Sequence, residues 1–110
     1  MAYELYDRIL GCLVTAGMGD ALGVPSEAYG RTEILQEYGK PIDHFMGPGN
    51  NIYGEGNLPG EVTDDSSQMY EMAKAVITTN GELTVQAAAD ALVNWTKLYP
   101  KYYPRNAGPT

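Results

Sequence analysis

Apolar residues recur at helical spacing in three long stretches of the chain, and no stretch has the alternation typical of a strand. The first stretch, from about Tyr6 to Leu22, is apolar around most of its circumference, which predicts a helix buried on several sides. The second runs from Asp65 to about Thr79, and the third begins after Thr84, a residue suited to the N-cap position. This pattern predicts an all-α fold, and 110 residues allow one domain.

The two later helices each have apolar residues on one face. In the second helix these residues are Met69, Met72, Ala73, Val76 and Ile77. In the third helix they are Val85, Ala88, Ala89, Leu92 and Trp95, or Thr96. Trp95 is predicted to anchor the core rather than to offer a stacking surface. Asn80 and Gly81 predict the turn between the two helices. The aromatic tail from Tyr99 to Thr110 is expected to be extended.

The first predicted helix contains three glycines and one carboxylate. Gly11, Gly17 and Gly19 each weaken a helix by about 1 kcal/mol relative to alanine, so they predict other backbones packed closely against it. Asp20 needs a partner, a cap or a cation, because an isolated carboxylate on a buried helix is costly. Pro25 ends this helix, and the residues after it continue in non-helical chain.

A short helix is predicted from Glu33 to Tyr38, with Thr32 as its cap and Gly39 in the left-handed position after it. His44 is expected to be a surface or hydrogen-bonded loop residue, because no second histidine or cysteine lies near it. The loop over residues 47–60 is long for a compact domain, and long structured loops often carry function. It contains neither of the glycine-rich fingerprints that bind nucleotide phosphates.

A hydroxyl and two carboxylates stand together where this loop meets the second long helix. Thr63 is at the N-cap position, and Asp64 and Asp65 fall in the first turn, where acidic residues complement the helix dipole. A second interpretation is a metal site, because three hard oxygen donors on consecutive residues suit Mg²⁺ or Mn²⁺. Spacing alone favours the cap, and both interpretations stay open at this point.

Composition limits the classes of partner and compartment. Seven basic residues against fourteen acidic ones give a net charge of -7, which argues against a nucleic-acid backbone as the main partner. Cys12 is the single cysteine, so no intramolecular disulfide forms, and its apolar surroundings predict a buried thiol. The N-terminus lacks a basic signal region, and the apolar run from Ile9 is expected to be too short and too glycine-rich to span a bilayer. We therefore predict a cytoplasmic protein.

Two motifs together resemble the ADP-ribosylglycohydrolase family, of the dinitrogenase-reductase-activating glycohydrolase type. The first is the run from Arg8 to Glu27, which ends in Gly-Asp-Ala-Leu-Gly-Val-Pro-Ser-Glu and is similar to the family signature GDALGxPxE. The second, from Thr63 to Met69, is similar to the family segment TDDT(S)xM, with Ser66 in place of the usual threonine. The resemblance covers nearly the whole chain but only the N-terminal part of the family's domain.

This resemblance implies an all-helical fold around two Mg²⁺ ions, or Mn²⁺ in some members. It implies hydrolysis of ADP-ribose, at the anomeric carbon, from protein side chains or other acceptors. Thr63, Asp64 and Asp65 match its metal ligands, and Asp65 is also a candidate catalytic residue. Glu27 matches a carboxylate near the scissile bond and is the candidate base. Asp20 lies beside the site or makes a structural hydrogen bond, and Ser66 is a candidate supporting residue.

The resemblance also implies that the chain carries half of the metal site. The family completes its metal pair with a second Asp-x-Asp-Thr/Ser cluster, and no such cluster follows Asp65. We therefore expect a second polypeptide, or a C-terminal part, that donates this cluster. A split enzyme, a truncated gene and a product of cleavage after Thr110 with different hydrolytic chemistry all stay open. The alternative of another class is a non-catalytic metal-binding or structural module, against which four retained oxygen donors argue.

Overall fold

The computed structural model describes residues 4–103. In this range the chain forms four α-helices, two short 3-10 turns and no strand, which confirms the all-α class. The helices are α1 (Leu5–Gly23), α2 (Arg31–Tyr38), α3 (Asp64–Thr78) and α4 (Val85–Leu98), and the 3-10 turns are Val24–Ser26 and Ile52–Gly54. The elements fall into two compact units, with the boundary between Val62 and Thr63. The single domain stays a prediction.

Helix α1 has nearly its predicted bounds but not its predicted burial. Only Gly17 and Ala21 of its residues are buried. Its large apolar side chains are exposed, namely Leu5, Tyr6, Ile9, Leu10, Val14 and Met18. A Cβ added at Gly11 or Gly19 would meet no described atom within 4 Å, so nothing in the described chain packs closely there. Burial on several sides is therefore wrong for the described residues, because α1 packs mainly against the 3-10 turn that follows it.

Two further predictions about α1 are corrected. Cys12 is exposed rather than buried, because it lies on a surface of the helix that the described residues leave uncovered. The segment Leu5–Ser26 contains an 18-residue window with a mean hydropathy of 1.3 and is long and apolar enough to cross a membrane, so the apolar run is not too short. Core helices of soluble proteins also reach this length and hydropathy, and the property alone therefore does not place the helix in a bilayer.

Helix α2 begins two residues earlier than predicted. The backbone N–H of Gly30 donates a hydrogen bond to the carboxylate of Glu33, which sets the start of the helix at Arg31. Thr32 therefore lies inside the helix and is not its cap. Gly39 ends the helix as predicted, in a left-handed conformation with φ of 72°.

The loop over residues 47–60 packs against the 3-10 turn that follows α1. The 3-10 turn Ile52–Gly54 contacts the turn Val24–Ser26. A Cβ built on Gly54 would lie 2.5 Å from Cγ1 of Val24 and 2.7 Å from Cβ of Pro48, distances that real side chains do not adopt. Glycine at this position therefore allows the two turns to approach. His44 is exposed, as predicted, and its ring lies 2.6 Å from the Asp43 carboxylate.

In the second unit, α3 packs against α4, and both helices start at the predicted caps. Oγ1 of Thr84 accepts a hydrogen bond from the N–H of Ala87 at 3.1 Å. Trp95 is 2% exposed, which confirms it as a core anchor, and its ring meets that of Tyr103 edge to face. Tyr102 is also buried. The turn over residues 99–103 corrects the extended tail for its described part, and residues 104–110 lie outside the described range.

The buried side of α3 is not its apolar face. The residues buried along α3 are Ser66, Ser67, Glu71 and Ala75, whereas Val76 and Ile77 are exposed. On α4 the buried residues are Ala91 and Trp95, and Val85 at the start of the predicted face is 90% exposed. Hydrogen bonds from Trp95 and Asn94 to side chains of α3 explain this rotation, because buried polar groups must be paired.

We predict that Gly54→Ala lowers the free energy of unfolding by about 1–3 kcal/mol, because the added methyl group overpacks the contact between the two 3-10 turns. Gly47→Ala is the matched control, since a Cβ there meets no described atom within 4 Å. Chemical denaturation of both variants tests this prediction. Equal losses of stability would show that the close approach at Gly54 has no energetic importance.

Candidate functional site

The three predicted metal ligands lie together at the start of α3. Oγ1 of Thr63 accepts a hydrogen bond from the N–H of Asp65 at 3.3 Å, so the predicted N-cap is present. Asp64 and Asp65 occupy the first turn, where the helix dipole favours negative charge. Thr63 and Asp64 are half-buried and Asp65 is exposed. The cap and the metal interpretation are compatible, because both place carboxylates at the same helix end.

The chemistry of this donor set fits a hard divalent cation, but the number of donors is short. One hydroxyl and two carboxylates are oxygen ligands of the kind that Mg²⁺ and Mn²⁺ bind. Over residues 4–103 there is no group of three or more histidine, cysteine, aspartate or glutamate side chains arranged to hold a metal ion. Octahedral coordination of each ion therefore needs ligands from water, substrate or further protein.

A buried hydrogen-bonded chain supports the first turn of α3. The indole N–H of Trp95 donates to Oγ of Ser67 at 2.8 Å, and this hydroxyl donates to the backbone carbonyl of Asp64 at 3.0 Å. Ser67 is 1% exposed, and the neighbouring candidate Ser66 is also buried. Helix α4 thus fixes the turn that carries the two carboxylates. Sequence reasoning missed Ser67, although a second hydroxyl residue next to Ser66 in the first turn of α3 was a usable signal.

Glu71 is a second residue that sequence reasoning missed. Its side chain is buried, and it pairs with the ammonium group of Lys74 and with Nδ2 of Asn94 at 3.4 Å. The hydrogen bond to Glu71 raises the pKa of Lys74. In the sequence, Glu71 and Lys74 have the spacing of an ordinary surface ion pair, and Lys74 is indeed exposed. The burial of Glu71 depends on the rotation of α3 against α4, which the sequence does not reveal. These contacts are what a buried carboxylate needs to be stable.

In the first unit, Glu27 lies on a turn that hydrogen bonds to its backbone hold in place. Glu27 is exposed, and its backbone carbonyl accepts a hydrogen bond from Nδ2 of Asn51 at 2.8 Å. The same Nδ2 lies 3.3 Å from the carbonyl of Pro25. The hydroxyl of Tyr38 lies 2.7 Å from that carbonyl and 3.1 Å from the carbonyl of Pro48. The turn is therefore tied both to α2 and to the long loop.

Burial raises the pKa of Tyr38, and the negative charge of Glu37 raises it further. The hydroxyl therefore stays protonated and able to donate throughout the neutral range. Asp20 is half-buried near the end of α1, in the same unit as Glu27. Asn51 is 2% exposed and is the residue of this unit that the sequence gave least reason to expect, since its partners are 24 and 26 positions away.

Each unit contains a cavity, and neither is lined by the candidate site residues. In the first unit a cavity of about 630 Å³ has a largely apolar lining that includes Leu22, Ile34 and Ile42, with Arg31 at its wall. In the second unit a cleft of about 430 Å³ is lined by residues of α3 and α4, including Glu71 and Asp90. The candidate residues instead lie at turns and helix ends.

The family model for ADP-ribosylglycohydrolase matches residues 1–110. The chain belongs to the ADP-ribosylglycohydrolase family. The family is named for ADP-ribosylglycohydrolase activity, and its members are generally metal-dependent. The two motifs that carry the resemblance, ending at Glu27 and starting at Thr63, both lie within the matched range.

Three relatives support the family. The chain is 30% identical over 105 residues to the uncharacterized protein YegU of Escherichia coli K12, covering 94% of this chain and 31% of that protein. It is 30% identical over 97 residues to the ADP-ribosyl-[dinitrogen reductase] glycohydrolase of Rhodospirillum rubrum, covering 88% and 31%. An uncharacterized protein of Archaeoglobus fulgidus is 36% identical over 73 residues, which cover 66% of this chain and 22% of that protein. No solved structure matches significantly. The chain thus spans less than a third of these relatives.

We predict that Ser67→Ala lowers the free energy of unfolding by about 1–3 kcal/mol, because it leaves the buried indole N–H of Trp95 without its acceptor. In a Trp95→Phe background, Ser67→Ala should lower the free energy of unfolding by about 1 kcal/mol less, because the indole N–H donor is absent. Denaturant unfolding of the four proteins gives the coupling. Thr96→Ala, which removes a hydroxyl bonded within its own helix at 2.8 Å, is the control. Strict additivity of Ser67→Ala and Trp95→Phe would contradict the prediction.

Proposed function

We propose that this chain supplies the N-terminal half of a metal-dependent active site that hydrolyses the glycosidic bond between ADP-ribose and an acceptor. The observation that carries the proposal is the pairing of the two family motifs with the ordered helix start at Thr63, Asp64 and Asp65. The relative from Rhodospirillum rubrum is named for action on an ADP-ribosylated protein. We extend only that substrate class, an ADP-ribosyl group on a protein side chain or a related small molecule, to this chain.

Thr63, Asp64 and Asp65 would hold the metal, and an Asp-x-Asp-Thr/Ser cluster on further polypeptide would complete a site for two Mg²⁺ or Mn²⁺ ions. Two carboxylates and a hydroxyl are too few protein ligands for two such ions, and the second cluster would add the further carboxylates. When bound, the ions would supply Lewis acidity and balance the charge of the acidic residues. The Ser67 contact to Asp64 would hold the ligand turn in one orientation.

Glu27 is the candidate general base of this proposal. It would accept a proton from the water that attacks the anomeric carbon while the bond to the acceptor breaks, through an oxocarbenium-like transition state. Asp65 is the second candidate catalytic residue. Asp20 and Ser66 are the candidate supporting residues, at the end of α1 and the start of α3. The exposed position of Glu27 leaves its carboxylate accessible to a substrate.

We further propose that the site is assembled with a second polypeptide or with the remaining part of the family domain. The exposed apolar residues of α1, the exposed Val76 and Ile77 of α3 and the largely apolar cavity of the first unit all support a covering partner. Soluble domains rarely leave large contiguous apolar patches in water. The relatives are more than three times as long as the matched segment, which is consistent with such a covering part. The cytoplasm is the proposed compartment.

We predict that Asp64→Asn and Asp65→Asn each weaken Mn²⁺ binding to the assembled protein at least about tenfold, because each removes a charged ligand. The helical fold should persist, since a lost cap contact costs only about 1 kcal/mol. Isothermal titration calorimetry measures the affinity, and circular dichroism reports the fold. Asp90→Asn is the control, because Asp90 is exposed on α4 and bonds to Gln86 of the same helix. Unchanged affinity in both Asp64 and Asp65 variants would leave this stretch with its capping role alone.

We predict that Glu27→Gln lowers kcat on an ADP-ribosylated peptide by about 100-fold or more, because the amide cannot accept the proton from water. Stability and Mn²⁺ affinity should change little, since the turn is held through backbone carbonyls. Single-turnover kinetics of the assembled protein give the rate, with Glu82→Gln, an exposed glutamate, as the control. A near wild-type rate for Glu27→Gln would remove it from the reaction.

We predict that the 110-residue chain expressed alone is aggregated or lacks fixed packing, because its apolar helix faces are uncovered. Size-exclusion chromatography with light scattering gives the mass, and thermal unfolding gives the cooperativity. Co-expression with the polypeptide that completes the family domain should restore a defined complex. A monodisperse 11.9 kDa monomer that melts cooperatively would show that the chain is stable without a partner.

A further inference from the structure

The buried amide of Asn51 is fully used in holding the chain around Glu27. Its Nδ2 group donates to the carbonyl of Glu27 at 2.8 Å and to that of Pro25 at 3.3 Å. Its Oδ1 atom accepts from the N–H of Tyr53 at 3.0 Å, and its own backbone N–H donates to the carbonyl of Pro48 at 2.8 Å. A single side chain therefore ties the turn before and at Glu27 to the long loop.

The turn that Asn51 holds contains a residue with an unfavourable backbone conformation. The backbone carbonyl of Ser26 accepts a hydrogen bond from the N–H of Tyr29 at 2.9 Å, which closes a four-residue turn. Glu27 has φ -55° and ψ 129°, and Ala28 has φ 61°. These angles are those of a type II turn, in which the third position prefers glycine because φ is positive. Alanine at this position is strained.

The alternative type I turn differs by a rotation of the peptide plane between Glu27 and Ala28. That rotation would give Ala28 a negative φ, which alanine prefers, and would turn the Glu27 carbonyl away from Nδ2 of Asn51. The hydrogen bond from Asn51 to this carbonyl therefore favours the strained form. Strain of this kind is held in place by surrounding structure and is often found beside active sites.

We propose that Asn51 is a positioning residue that locks the Ser26–Tyr29 turn in its type II form and so keeps Glu27 in one reactive arrangement. The proposal rests on the proposed role of Glu27 as general base. Without the Asn51 donor, the turn divides its population between two forms, and the competent fraction falls. The loss should appear in kcat rather than in metal affinity, because Asn51 bonds to Pro25, Glu27, Pro48 and Tyr53 and to none of the proposed metal ligands.

Asn51→Asp tests this in the assembled protein, because it conserves volume, keeps the acceptor for Tyr53 and removes the donor to the two carbonyls. We expect kcat on an ADP-ribosylated peptide to fall about tenfold, with Mn²⁺ affinity within about twofold of wild type. Asn50→Ala is the matched control. The side chain of Asn50 donates a hydrogen bond to the Glu37 carboxylate at 2.8 Å, and its removal should leave kcat unchanged. Equal kcat in Asn51→Asp and wild type would overturn the proposal.

The turn itself provides the rescue experiment. Adding Ala28→Gly to Asn51→Asp should raise kcat at least about threefold above that of Asn51→Asp alone, because glycine adopts the positive φ without strain. A general loss of packing at Asn51 would not be repaired by this change, so absence of rescue would contradict the turn mechanism. If Asn51→Asp does not fold, Ala28→Val gives the same test with Asn51 intact. A β-branched residue disfavours positive φ, so kcat should again fall, and an unchanged kcat would overturn the proposal.

The result for Glu27→Gln separates this inference from the proposed function. Retained turnover in Glu27→Gln would remove the general-base role on which the inference rests. Loss of turnover in Glu27→Gln together with wild-type kcat in Asn51→Asp would leave the proposed function intact. In that case Asn51 would be a structural residue of the loop and nothing more.

Discussion

The hydrogen bond between the indole of Trp95 and the hydroxyl of Ser67 determines how the second unit is built. An indole N–H buried at the helix contact needs an acceptor, and Ser67 is the acceptor that α3 provides. Meeting that need turns the Ser67 and Glu71 side of α3 toward α4 and leaves Val76 and Ile77 outside. The same contact steadies the turn of Asp64, so the packing of the unit and the order of its acidic turn have one origin.

We propose that the exposed apolar surface follows from the size of the chain. The matched segment is less than a third of its relatives, and α1 has the composition of a helix that a larger domain encloses. Gly11 and Gly19 leave room for neighbours that the described residues do not supply. In this account the acidic helix start and the apolar helices are both incomplete for the same reason, and one further polypeptide would complete them.

Most local features of the fold could be predicted from the sequence, whereas the contacts between distant segments could not. The caps at Thr63 and Thr84 and the left-handed Gly39 depend on neighbouring residues, so short motifs predict them. The predicted start of α2 was wrong because the Glu33 carboxylate, within the helix, accepts a hydrogen bond from the N–H of Gly30. The exposure of Cys12 and the packing side of α3 depend on which surfaces meet, and periodicity does not reveal that. The role of Asn51 could not be predicted because its hydrogen-bond partners are distant along the chain.

The family motifs gave the candidate ligands and Glu27, but a motif does not reveal whether the set is complete. The direct test is the number of Mn²⁺ ions bound, measured by electron paramagnetic resonance on the 110-residue chain and on the chain assembled with the rest of the family domain. The account predicts two magnetically coupled ions in the assembly and weak binding to the chain alone. Two tightly bound ions in the chain alone, or none in the assembly, would contradict it.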